Sequence, residues 1–206
     1  MPKIHGVKQM THTRYLNLYE LDASCRSGRH LNYYVASRAK SMEQLKVLNH
    51  GDHADGVILY GVHGPQRDKL VLVRQYRYPL GEYVYEFPAG LLEPGEDPRQ
   101  AGVREFYEET GMKLEVCEGG VCQRPFFTTV GMTDESCALC FGYCDGAPTS
   151  AHQEESEDIQ VVLADRDECR RILREERVAV MCAYMMMHFI AGTGDPLEFL
   201  KEFANE

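Results

Sequence analysis

Residues 90 to 112, GLLEPGEDPRQAGVREFYEETGM, constrain this chain more than any other stretch. Asp97-Pro98 is a helix start, with Asp as N-cap and Pro at the first helical position. Gly111 is a helix stop, because glycine enters left-handed backbone at little cost. With Glu105 set at zero and about 100° per residue, Glu109 lies near +40° and Glu108 near −60°. Val103, Phe106, Tyr107 and Thr110 fall at roughly 100° to 200° on the same wheel. The pattern predicts one apolar face packed on a core and an opposite face carrying three carboxylates. Like charges spaced i, i+3 and i+4 repel in a helix on its own. A bound cation reverses that sign, and hard carboxylate oxygens suit Mg2+ or Mn2+ rather than zinc. Arg104, one turn before Glu108, can hold that carboxylate by an i, i+4 pair. A solvated acidic face is the competing reading, and Gly90, Glu96, Arg104 and Gly111 in register with the carboxylates count against it.

The rest of the chain bounds the possibilities. At 206 residues it is one domain, or one domain with a small extension. Its net charge of −10 argues against nucleic acid as the main partner, since phosphate backbones need surfaces rich in Lys and Arg. A small anionic substrate stays open, because metal ions neutralise phosphates locally. The start, MPKIHGVKQM, lacks a long apolar core, so no signal peptide is expected. The longest apolar run, VAVMCAYMMMHFIA at 178 to 191, is too short for a membrane span and predicts a buried helix, a subunit contact being the alternative. Eight cysteines in apolar surroundings point to a reduced, cytoplasmic protein rather than a disulfide framework. Cys137 and Cys140 form a C-x-x-C match, but SCALCFGYC alternates like a strand and turns them to opposite faces. His50-Gly-Asp-His53 predicts a solvated loop.

Strands are predicted at 15–21 and 31–36, the pair a hairpin about turn residues Ser24 to Gly28. Further strands are expected at 57–60, 70–76, 84–87, 114–117, 121–127, 136–144 and 159–164. Helices are expected at 166–176, 177–191 and 196–204. Strands surrounding one central helix, followed by terminal helices, give an α/β or α+β layered domain.

The spacing G-x5-E-x7-R-E-U-x-E-E-x-G-U, with U apolar, is met by Gly90, Glu96, Arg104, Glu105, Phe106, Glu108, Glu109, Gly111 and Met112. In this the chain resembles the Nudix hydrolases, which cleave a nucleoside diphosphate linked to another group. The stretch VLVRQYRYPLGEYVYEFPAG, with Gln75-Tyr-Arg77 and Glu86-Phe-Pro88-Ala89-Gly90, is similar to the ADP-ribose pyrophosphatase and nucleoside-diphosphate-sugar branch, as is the segment Tyr34 to Arg38. The resemblance implies an α/β/α sandwich on a mixed sheet at 46–206. It also implies an antiparallel β extension at 1–45 that makes a homodimer and helps build the partner's substrate pocket. After the box, the branch has a serine-proline-glycine loop before a glutamate. Here Val130 stands in place of the proline, and Glu135 is kept.

The expected reaction is conversion of ADP-ribose to AMP and ribose 5-phosphate. A nucleotide-pool-cleaning triphosphatase and a catalytically silent nucleotide-sugar sensor are the alternatives. Glu105, Glu109 and Glu108 are the expected Mg2+ ligands, joined by the backbone carbonyl of Ala89. Arg104 is expected to act with Glu108 in catalysis, while Glu96, with Glu93, supports the loop. Arg77, Arg38 and Glu135 are the expected substrate contacts. With no tryptophan in the chain, base stacking falls to residues such as Tyr15, Tyr33 or Tyr34. The resemblance places the general base on the acidic loop before IQVVLA, with Glu155 first, then Glu157, then Glu154.

Overall fold

The computed structural model describes residues 1–202. The chain divides into two compact units, one of residues 1–55 with 124–137 and one of residues 56–123 with 138–206, the last of which are described to 202.

The first unit holds strands β1 (Lys3–Gln9), β2 (Asn17–Ser24) and β3 (His30–Ser37), paired antiparallel in that order. The expected hairpin is β2–β3, in register from Asn17↔Ser37 to Ser24↔His30. β1 was not anticipated, since its sequence carries no apolar alternation; it is stitched on by main-chain pairing to β2. A 3-10 turn at Met42–Gln44 and a single helical turn, α1 (Lys46–Asn49), follow. The Lys46 ammonium is buried, and it is held by Asp55 at 2.5 Å and by Ser136. Burying that charge is tolerable only because a carboxylate and a hydroxyl meet it. His50 to His53 form an irregular loop, as expected.

The second unit is built on a seven-stranded mixed sheet. Its strands are β4 (Gly56–His63), β5 (Lys69–Arg77), β6 (Glu82–Glu86), β7 (Ala89–Leu91), β8 (Glu115–Phe127), β9 (Ser136–Cys144) and β10 (Ile159–Ala164). The order is β10-β5-β4-β9-β8, with β6 on β5 and β7 on β4. The near-continuous apolar runs of β4 and β5 are what a strand buried on both faces requires. β8 is one strand where two short ones were expected, because Gly119-Gly120 sits inside it without breaking it. β7 was missed; three residues give no periodicity to read.

Helix α2 (Pro98–Thr110) packs on β4, β7 and β10, α3 (Arg166–Glu175) on β10 and α4, and α4 (Val180–Ala191) on β6. The core between them includes Tyr60, Leu72, Phe87, Ile172, Met186 and Phe189. α4 starts three residues later than predicted, because Arg177 to Ala179 pair with β6 through Tyr85. Nor is it buried all round: Cys182, Met186 and Phe189 face the core while Val180, Tyr184 and Met187 are exposed. The helix expected at 196–204 is a turn at 196–197 followed by a 3-10 helix at Glu198–Glu202, and 203–204 lie outside the described residues. Among the described residues no helix is long and apolar enough to cross a membrane.

Candidate active site

α2 forms where its caps place it. The Asp97 carboxylate accepts from the Arg99 amide at 2.9 Å, and Gly111 takes φ 72° while its amide donates to the Tyr107 carbonyl at 2.8 Å. The arc that faces inward differs from the expected one. Ala101, Gly102, Phe106, Glu109 and Thr110 are buried, spanning about −40° to +140° on the helical wheel. That arc contains the carboxylate side of the helix instead of opposing it. Glu109 is 3% exposed, whereas Tyr107, expected on the packed face, is 44% exposed.

Phe106 and Thr110 are buried as expected, and the sheet explains why the buried arc reaches Glu109 as well. β4 meets β5 at Val62↔Leu70 and His63↔Lys69, while the other end of β4 pairs with β7 and the other end of β5 with β6. α2 lies against β4 and β7, so Glu105 and Glu109 are aimed at strand backbone. Gly90 permits the approach, since a Cβ there would collide with the Glu105 carboxyl group. The box glycine is therefore a matter of clearance for a carboxylate.

Arg104 is the hub of the acidic face. Its Nε and Nη2 donate to both oxygens of Glu96 at 3.0 and 2.9 Å, and its Nη1 donates to Glu105 at 2.8 Å and to Glu108 at 3.1 Å. Glu96 also accepts from the Glu93 amide at 2.9 Å, which closes the loop ahead of the helix. The hydrogen bonds from Arg104 hold the Glu96 carboxyl below the usual range.

Glu109 has no such partner among the described side chains. The Ala89 amide donates to it at 3.3 Å, which brings the main chain of Ala89 beside this carboxylate. Burial, and then the charges of Glu157 and Glu105, push the Glu109 carboxyl well above the ordinary glutamate value. Glu105 is raised as well, by burial first and then by Glu108 and Glu96, against the pull of Arg104. Glu157 is raised by burial and by Glu154, Glu105 and Glu108. Carboxyl groups that each resist ionisation, through burial first and through one another second, form a site short of positive charge. In donor type and charge this set fits a hard divalent cation. Its side chains are not drawn into a finished cage among the described residues, because Glu105 and Glu108 are turned to Arg104.

The acidic loop sorts its three candidates. Glu154 and Glu155 are exposed; Glu157 is partly buried and is the one whose charge is felt at Glu109. A turn closed by the Glu157 amide on the Glu154 carbonyl at 3.0 Å lies between them, with Glu155 exposed within it. Arg77 donates to Glu86 through Nε at 2.7 Å and through Nη2, and its charge counteracts the rise at both Glu109 and Glu157. Arg38 and Glu135, expected to bind substrate, pair with each other at 2.9 Å in the first unit, where Thr128 also donates to Glu135. Tyr33 donates to the Gly131 carbonyl and Tyr34 to Glu20, while Tyr15 is exposed beneath Arg14. All eight cysteines are free thiols. Sequence reading missed Gln153 and His152, which touch α2 from more than forty residues away. No spacing rule reaches that far.

Comparison with known proteins bears on this geometry. A family model described as the NUDIX domain matches residues 52–179. The chain is similar to a methanol dehydrogenase activator of Bacillus methanolicus, 36% identical over 112 residues, which are 54% of this chain and 59% of that protein. It is 40% identical over 93 residues to an ADP-sugar pyrophosphatase of Mus musculus, covering 43% of each chain. Against an ADP-ribose pyrophosphatase of Mycobacterium tuberculosis it is 34% identical over 112 residues, 53% of each. The chain thus spans about half the length of the curated relatives it matches. A solved structure described as an ADP compounds hydrolase superposes with a TM-score of 0.66 over 94% of this chain and 96% of its own, at 18% identity, a likeness that shows the fold.

Proposed function

The chain belongs to the NUDIX domain family, and from that premise we propose that it hydrolyses the diphosphate linkage of a nucleoside diphosphate sugar, ADP-ribose foremost, to AMP and ribose 5-phosphate. The observation that carries the reading is the Glu109 carboxyl of the box helix, raised by its burial and then by Glu157 and Glu105. The names of two relatives, ADP-sugar pyrophosphatase and ADP-ribose pyrophosphatase, support the substrate class.

Nudix hydrolases generally use divalent metal ions, and Mg2+, with Mn2+ as a substitute, is the cation we propose here. Glu105 and Glu109 would hold it, with Glu108 and the main chain of Ala89 completing the set. When bound, it neutralises diphosphate oxygens and acidifies a water. Arg104 takes over charge balance for Glu96 and keeps the loop at Glu93 closed. Arg77, steadied by Glu86, offers a fixed guanidinium to a phosphate. Glu157 accepts the proton of the attacking water as its oxygen bonds to phosphorus and the bridging P–O bond breaks. A carboxylate whose acid is raised above the ordinary glutamate value is a stronger base than an ordinary one. Arg38 and Glu135 are proposed as substrate contacts, the N-terminal strands as a homodimer contact, and the free thiols are compatible with a reducing, cytoplasmic setting.

A panel of ADP-ribose, other nucleoside diphosphate sugars and oxidised dGTP, assayed with Mg2+, tests the substrate class. The proposal expects AMP and a sugar phosphate from ADP-ribose in preference to pyrophosphate from oxidised dGTP. The reverse preference would make this a triphosphatase.

A further inference from the structure

The loop that carries Glu157 is bound to the C-terminal end of α2 at three points. The Thr149 amide donates to the Thr110 carbonyl at 2.9 Å. The Gln153 side-chain amide donates to the Glu109 carbonyl at 2.7 Å. The Tyr107 hydroxyl and His152 Nε2 share a hydrogen bond of 2.9 Å, and the two rings stack with centroids 4.5 Å apart at 28°. Gly111 adds clearance, since a Cβ there would run into Thr149.

These contacts use acceptors a helix leaves spare. The last carbonyls of a helix have no partner within it, and here loop donors meet those of Glu109 and Thr110. Two tight turns then lead from the anchor to Glu157. The Gln153 amide closes the first on Ser150 at 3.3 Å and the Glu157 amide closes the second on Glu154 at 3.0 Å. Just beyond, the Asp158 carbonyl accepts from the Tyr76 amide at 3.1 Å and its carboxylate from Tyr83. Glu157 is therefore held between an anchor on α2 and an anchor on β5 and β6. One of those anchors is the main chain of Glu109, the residue whose side chain feels its charge.

We propose that Gln153, through the Glu109 carbonyl, and Tyr107, through His152, are positioning residues that set Glu157 against the carboxylates of α2. This rests on the hydrolase reading above. Neither contact uses a carboxylate side chain, so they govern where the base stands and not whether a cation or substrate binds.

The experiment is kinetic, on the full chain with ADP-ribose and Mg2+, using Gln153→Met, His152→Ala and the double variant. Displacing a catalytic group by about 1 Å costs up to roughly 100-fold. The expected result is a fall in kcat of roughly 10- to 100-fold for the double variant, KM within about twofold, and partial recovery in His152→Gln, whose amide oxygen can still accept from Tyr107. In a Glu157→Gln background the same substitutions are expected to lower kcat no further, a non-additivity that general loss of structure would not produce. Hydrogen exchange over 149–158 reports whether the anchor has been released. Released anchors with wild-type kcat, or a full additional loss in the Glu157→Gln background, would overturn the proposal while leaving the hydrolase reading in place. A wild-type protein that cleaves no nucleoside diphosphate sugar would overturn the hydrolase reading, and the proposal with it.

Discussion

At the scale of single residues, Glu109 concentrates the account. The wheel placed it beside Glu105 from spacing alone. Its burial was not legible, because a glutamate on a charged face reads as solvated until the strand that covers it is known. The same holds for the acidic loop, where two turns within nine residues leave Glu155 exposed and Glu157 partly buried. Burying an unpaired acid disfavours the metal-free fold once the acid ionises. Glu109 has its folded value raised well above 4.5, so its contribution to stability is whole below that ordinary value and is lost as pH rises through the folded one. Glu105 and Glu157, also raised, act in the same direction. Through these groups, metal-free protein is expected to melt at a lower temperature at pH 8 than at the ordinary carboxyl value of 4.5. At pH 8, Glu109→Gln is expected to gain about 1–2 kcal/mol, roughly 2–8 °C in Tm by calorimetry. A variant that melts below the wild type without metal would contradict the burial argument.

At the scale of elements, helix α2 was the most legible and α4 the least. Caps announce α2 in sequence, and Asp97→Ala is expected to cost about 1 kcal/mol in urea unfolding; no measurable loss would deny the cap. α4 misled for a physical reason. An all-apolar sequence gives no polar face to mark the solvent side, so burial was assigned to every side. Cys182, Met186 and Phe189 are buried, at i, i+4 and i+7, Met185 and Ile190 are partly buried against the core, and Tyr184 is left 69% exposed. The strands were found wherever apolar runs were long, as in β5 and β9. β1 and β7 escaped because main-chain pairing, not side-chain pattern, makes them strands.

At the scale of the whole molecule, the family model matches from residue 52, and the expected substrate residues Arg38 and Glu135 fall in the first unit. Arg38→Ala is expected to raise KM for ADP-ribose while leaving kcat near wild type; an unchanged KM would remove Arg38 from the substrate contacts. The eight cysteines are free thiols, most of them with the thiol pushed up by burial, so stability owes nothing to cross-links. Adding a reductant is therefore expected to leave Tm unchanged. The central claim is that the carboxylates of α2 make this chain a cation-dependent hydrolase. Its most direct test is AMP release from ADP-ribose in Mg2+ by wild type and by Glu109→Gln, with circular dichroism confirming that both are folded. The account predicts steady AMP release by the wild type and its near-abolition in the folded variant; a folded Glu109→Gln that turns over at the wild-type rate would contradict it.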